Sequence, residues 1–145
     1  MAVRISRAVL DAIMADAQTT PSLERCGLLF GGNECITGWR SAANVHPEPA
    51  RHFELDPMVL IAAARAAREG QGPAIVGHSH SHPQGEAVPS KADAAAAAGD
   101  GRLWLIVGSG GCRLWRSISG SHAAAGLARQ LWLGKFVEEE IEAVD

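Results

Sequence analysis

A chain of 145 residues, 47% hydrophobic and with a formal charge of only −3, can bury one sizeable core and is too apolar for its bulk to be disordered. Its arginines are dispersed and lysine is confined to Lys91 and Lys135, so no basic stripe with interleaved aromatics offers a nucleic-acid surface. No run approaches the ~20 apolar residues of a membrane span, and Asp11 and Asp16 interrupt any secretory core; the three cysteines, Cys26, Cys35 and Cys112, fit a reducing cytoplasm better than a disulfide framework.

In chain order, Val9, Leu10, Ile13 and Met14 fall at helical spacing over residues 6–18, with Ser6 as the N-cap candidate. Residues 24–32 read as a buried strand closed by glycines, and residues 35–40 as its return through a Gly32-Asn33 turn. The Pro-rich stretch 44–57 reads as an extended connection, with a short strand around residues 51–55. Asp56-Pro57 then matches a helix start, and the helix runs over residues 58–69. Residues 74–80 form the next strand, which Pro83 is expected to end. Ser90 opens an alanine-rich helix to residue 98, and residues 103–107 and 112–118 are strands. Residues 127–133 are apolar enough to pack. Val137, Ile141 and Val144 fit a helix over 136–144, although its acidic cluster suits an edge strand equally. Strands and helices alternate, which indicates a single α/β layered domain over residues 1–145.

The chemistry concentrates in Gly77-His78-Ser79-His80-Ser81-His82-Pro83 and in Ser90-Lys91-Ala92-Asp93. Strand side chains alternate, so His78, His80 and His82 share a face while the pleat persists. Three readings compete. In the plainest, Ser90 and Asp93 are a helix capping box and the histidines a polar turn. In the second, His80, His82 and Asp93 hold one catalytic zinc at about 2.0–2.2 Å, with a water in the fourth position whose pKa falls toward ~7. The third moves the histidine register to His78 and His80. Hydrolysis also needs a base, and Glu24, at the entrance of a core strand, is the candidate; its ordinary reading is an exposed carboxylate. Ser90 could stabilise an oxyanion, and its two roles are expected to coexist only if the backbone uses a different acceptor. Cys26 reads as a buried core thiol rather than a ligand, His46 and His52 as solvated loop residues, and the four tryptophans as packing groups.

The spacing His80-x-His82-Pro83-x6-Ser90-x2-Asp93 resembles the signature of the JAMM (MPN+) metalloproteases. Glu24-x-Cys26-Gly27-Leu28-Leu29-x-Gly31 resembles that family's glutamate motif, and Arg51-x-Phe53-x-x-Asp56-Pro57 the stretch between the two motifs in small bacterial members. The resemblance covers about residues 5–118. It implies a mixed central sheet flanked by helices, similar to that of cytidine deaminases, and a zinc-dependent peptidase or isopeptidase. Carried over, His80, His82 and Asp93 bind zinc, Glu24 is the general acid/base, and Ser90 steadies the tetrahedral intermediate. Deaminase activity is disfavoured, because the His-x-Glu and Pro-Cys-x-x-Cys signature is missing.

This chain departs from the pattern at His78-Ser79, where many members carry a large apolar residue before the first ligand. His78 is then a donor behind a ligand, a second metal contact or an inert polar residue, with the first and last preferred. The short loop 84–89 leaves little room for the insertions with which deubiquitinating members grip ubiquitin chains. The resemblance therefore favours a ubiquitin-like sulfur-carrier protein, cut after its C-terminal Gly-Gly, or a peptide adduct of it. The rival is a non-catalytic binding module of the same fold that keeps the zinc. A cell-wall peptidase is disfavoured because the second catalytic domain such proteins often carry does not fit here, and a homodimer is left open.

Overall fold

The computed structural model describes residues 2–119 and 131–145, and in it the apolar runs of the sequence join one mixed sheet. The elements are β1 (Val3–Ser6), α1 (Arg7–Ala17), β2 (Cys26–Gly32), β3 (Cys35–Ala42), α2 (Pro57–Arg68), β4 (Ile75–Glu86), α3 (Lys91–Ala96), β5 (Leu103–Ser109), β6 (Gly111–Ser117), β7 (Leu131–Trp132), β8 (Phe136–Glu139) and β9 (Ile141–Val144). Their spatial order is β7-β8-β6-β5-β4-β2-β3-β1-β9, so β4, with its histidines, lies in the middle. The β4–β5 pair is parallel, as are β1–β3 and β1–β9; the other pairs are antiparallel.

Alternation along the strands divides the core in two. Leu29, Leu105 and Leu114 face α1, whose Ile13 and Ala17 complete that layer. Leu28 and Phe30 face α2 through Ala63, while Trp104, Ile106 and Trp115 pack toward α3 through Ala94. Helices thus flank a mixed central sheet, as the sequence indicates.

Several elements differ from the sequence reading. The stretch 51–55 makes only an isolated bridge, Asn44 to Leu55. Helix α3 stops at Ala96. The stretch 127–133 lies partly outside the described residues, and its end, Leu131–Trp132, is strand. Of the two readings offered for residues 136–144, strand holds and helix does not: β9 is a sheet edge, and β8 pairs with β6. There the acidic side chains find arginines of β6: Arg113 donates to both carboxylate oxygens of Glu138, at 2.8 and 2.7 Å, and Arg116 donates to Glu139 at 2.9 Å. Residues 3–6, without an element in the sequence reading, form a parallel strand between β3 and β9.

Pro83 does not end β4. Pairing with β5 runs from Gly77 to Ser81 and resumes only at Glu86. The proline sits in the intervening bulge, where no ladder bond needs its missing N–H. At the other end of the strand, β5 comes so close that a Cβ on Gly77 would lie 1.8 Å from the Leu103 carbonyl oxygen. On β2, a Cβ on Gly27 would lie 2.3 Å from the Trp39 indole nitrogen. Gly77→Ala is therefore expected to lower stability by about 1–3 kcal/mol in urea denaturation. Gly32→Ala, where a Cβ meets nothing within 4 Å, should stay within about 0.5 kcal/mol of native. Equal stability of the two variants would contradict this packing.

Candidate metal centre

Two faces of β4 do different work. His78, His80 and His82 point toward α2 and α3, while Ser79 and Ser81 point toward α1 and anchor the strand. Ser79 Oγ accepts from Trp39 Nε1 at 2.9 Å, over the space left by Gly27. Ser81 Oγ accepts from the Arg25 backbone N–H at 2.8 Å, and the Ser81 N–H donates to the Arg25 carbonyl at 3.0 Å. The Arg25 guanidinium grips both carboxylate oxygens of Asp16 on α1, at 3.1 and 2.9 Å. Through Arg25, the segment holding Glu24 is thus pinned to β4 and to α1.

His80 Nε2, His82 Nε2 and Asp93 Oδ2 form a nearly equilateral triangle with edges of 3.1, 3.2 and 3.1 Å. The His82 ring is oriented by the bulge, because its Nδ1 donates to the Glu86 carbonyl at 2.9 Å. That fixes the proton on Nδ1 and turns the Nε2 lone pair into the triangle. The His80 ring is fully buried and stacks on Phe53, with centroids 4.2 Å apart and planes 17° from parallel. Its Nδ1 has no hydrogen-bond partner among the described residues.

Asp93 reaches the triangle from α3. Ser90 Oγ accepts from the Asp93 N–H at 3.0 Å, and Asp93 Oδ2 accepts from the Ser90 N–H at 2.9 Å. The capping box is real, and it aims the carboxylate instead of excluding it from the site. Accepting one N–H also leaves Ser90 its hydroxyl proton, so the cap needs no other acceptor for that proton to remain free.

Glu24 is buried, and one of its oxygens lies within 4.8 Å of the histidine nitrogens. Burial raises its pKa from 4.5 to about 7, partly offset by His82. Burial alone would also raise Asp93, but hydrogen bonds with His80 and His82 outweigh it and hold that carboxyl well below the usual range. Burial pushes His80 down. At His82 the hydrogen bonds to Asp93 and to the Glu86 carbonyl overcome burial and push the pKa up.

A tetrahedral ion with bonds of about 2.1 Å spaces its ligands about 3.4 Å apart. Two imidazole lone pairs and a carboxylate at 3.1–3.2 Å therefore suit zinc in number, chemistry and spacing. Glu24 is close enough to meet a water beside such an ion.

His78 is left aside. It packs edge-on against Trp104, with centroids 4.3 Å apart, and burial pushes its pKa down to about 3, so it stays neutral. Cys26 is a core thiol whose Sγ faces the Ala42 carbonyl at 3.5 Å, and burial pushes it up to about 12. His46 and His52 are not merely solvated: with Phe53, Glu24 and Trp104 they wall a hollow of about 380 Å³ beside the triangle. A second hollow of about 230 Å³ lies between Glu24, Arg51, His82 and Ser90. Phe53 and the two serines are the contributors that residue-by-residue reading overlooks, although the His-Ser-His-Ser-His alternation already assigns the serines to the opposite face.

Residues 6–118 match the family model described as prokaryotic homologs of the JAB domain. The chain belongs to this family. It is 34% identical over 102 residues to "Desampylase" of Haloferax volcanii, which covers 66% of this chain and 73% of that protein. It is 33% identical over 89 residues to the "Probable TtuB-protein conjugate cleaving protease" of Thermus thermophilus, covering 61% of this chain and 59% of that one. A JAB1/MPN domain protein from Archaeoglobus fulgidus shares the fold, with a TM-score of 0.59 and 19% identity over 99% of this chain and 98% of its own. This JAB-domain chain is accordingly an enzyme, a hydrolase of the peptidase class. No helix among the described residues is long and apolar enough to cross a membrane.

The raised Glu24 pKa has a sign that can be measured in metal-free protein. Because the folded value, about 7, exceeds the ordinary 4.5, the folded state holds an extra proton between them, and stability falls as pH rises through that window. At about 1.4 kcal/mol per unit, the loss comes to about 3 kcal/mol. Glu24→Gln, uncharged throughout, should be more stable than native at pH 8 and equal to it at pH 4 in chelator-treated urea titrations. A stability difference that does not vary with pH would contradict the burial of this carboxyl.

Proposed function

We propose that the chain is a zinc isopeptidase that hydrolyses the amide bond following the C-terminal Gly-Gly of a ubiquitin-like sulfur-carrier protein. The observation that carries the reading is the 3.1–3.2 Å triangle of His80, His82 and Asp93, with the buried Glu24 carboxylate beside it. The names of the two curated relatives, which refer to cleavage of conjugates, support the substrate class.

His80 and His82 from β4 and Asp93 from α3 would hold one zinc ion. Bound there, zinc supplies a Lewis acid that makes a water nucleophilic near neutral pH. Glu24 takes a proton from the attacking water as the carbon–oxygen bond forms, and delivers it to the amine nitrogen as the carbon–nitrogen bond breaks. A buried carboxylate beside the attacking water can take up the proton and return it as the amine departs. The free Ser90 O–H donates to the developing oxyanion. The two hollows that Glu24 lines leave room for an extended chain through the site. Glycines on the acyl side suit such a passage because they carry no side chain.

The test combines zinc content with cleavage of a carrier-protein fusion. Native protein should bind one zinc and cleave. Glu24→Gln should keep the zinc and lose about 10²–10⁴-fold in turnover, whereas His80→Ala should lose the metal. A stoichiometric zinc with no cleavage of any carrier fusion or peptide would favour the non-catalytic binding module.

Ser90 has two roles to separate. Ser90→Ala removes both the cap, at about 0.5–2 kcal/mol, and the oxyanion donor, at about 10²–10³-fold in turnover. Ser90→Thr keeps a hydroxyl and should retain most of each. A Ser90→Ala enzyme with native turnover and lowered stability would reduce Ser90 to a cap alone.

A further inference from the structure

Glu24 lies outside the sheet that positions the rest of the centre. Strand β2 begins at Cys26, two residues later, so no ladder bond fixes the Glu24 carbonyl. Asn44 does. Its Nδ2 donates to the Glu24 carbonyl at 2.9 Å and to the His52 carbonyl at 3.0 Å. Its Oδ1 accepts from the His46 N–H at 3.1 Å and from the Glu54 N–H at 3.0 Å. All four hydrogen-bonding sites of the amide are therefore used.

The pattern is specific in what it joins. The bonds to His52 and Glu54 bracket Phe53, the residue whose ring lies flat on His80. The bond to Glu24 holds the proposed base. The proposed ligands His80, His82 and Asp93 come from β4 and α3, and Asn44 bonds to none of them.

We propose that Asn44 is a positioning residue for the hydrolysis, locking Glu24 and Phe53 into one rigid unit against the metal triangle. The inference rests on the isopeptidase reading and adds to it a residue outside the motif. Other bonds keep the segment folded when the amide is altered: Glu24 N–H to the Pro49 carbonyl at 2.8 Å, Val45 N–H to the Glu54 carbonyl at 2.9 Å, and Asp56 N–H to the Ala43 carbonyl at 3.1 Å. Changing Asn44 therefore loosens the alignment of base and water without removing a metal ligand. A misplacement of about 1 Å can cost up to about 10²-fold in rate.

The experiment compares native protein with Asn44→Asp, Asn44→Ser and a core control, Ile36→Val, well below the lowest melting temperature. Asn44→Asp keeps the two acceptor positions but sets a carboxylate oxygen against the carbonyls of Glu24 and His52. Its kcat per bound zinc on a carrier-protein fusion should fall roughly 10–100-fold, with zinc content and KM unchanged. Ile36→Val should keep the native kcat. Should Asn44→Asp not fold, Asn44→Ser carries the same comparison. In metal-free Asn44→Ser, the amides of His46 and Glu54 should also exchange with solvent faster than in native protein. Native kcat per zinc in the Asn44 variants overturns the proposal, as does a loss confined to zinc content. If native protein itself cleaves nothing, the isopeptidase reading fails, and unchanged amide exchange in Asn44→Ser then overturns the clamp separately.

Discussion

Three atoms that each carry a lone pair, held 3.1–3.2 Å apart, need a proton or a metal cation among them to stay so close. His80, His82 and Asp93 are held in that arrangement by parts of the fold that do not themselves touch a metal. The bulge after Ser81 turns His82 inward through its bond to the Glu86 carbonyl, and the cap of α3 aims Asp93. Phe53 limits where the His80 ring can lie. Much of the surrounding structure can be understood as maintaining this crowding of acceptors.

The central strand does so by using both of its faces. Its histidines face the centre, while its serines are fastened from behind by Trp39 and by the Arg25 backbone. Arg25 also ties to Asp16 on α1, so a helix on the other face of the sheet braces the segment bearing Glu24. The proposed base and the proposed ligands thus come from separate elements, and their alignment is a property of how the sheet is assembled.

The site was more legible in the sequence than the sheet was. Zinc chemistry restricts residue type and spacing so strongly that the His-x-His, the following serine and aspartate, and the distant glutamate stand out together. Strand alternation then predicts which histidines share a face. Only packing separates His78 from His82, because the difference lies in a bulge that no periodicity announces. Pro83 misleads for the same reason, since the rule against proline in a strand fails where the ladder is interrupted. At 136–144, Val137, Ile141 and Val144 satisfy helical spacing, but Arg113 and Arg116 on β6 favour a strand there by pairing with Glu138 and Glu139. Such partners, more than twenty positions away, are invisible to a local window. Asn44 is equally silent, because its role lies in four backbone groups rather than in a motif.

The central claim is that two histidines and one aspartate, without a cysteine, make the metal centre. X-ray absorption at the zinc edge of the loaded protein tests it most directly. The account predicts nitrogen and oxygen ligands only, at about 2.0–2.2 Å, with outer-shell scattering from two imidazoles. A sulfur ligand at about 2.3 Å, which would place Cys26 on the ion, or scattering from a single imidazole, would contradict it.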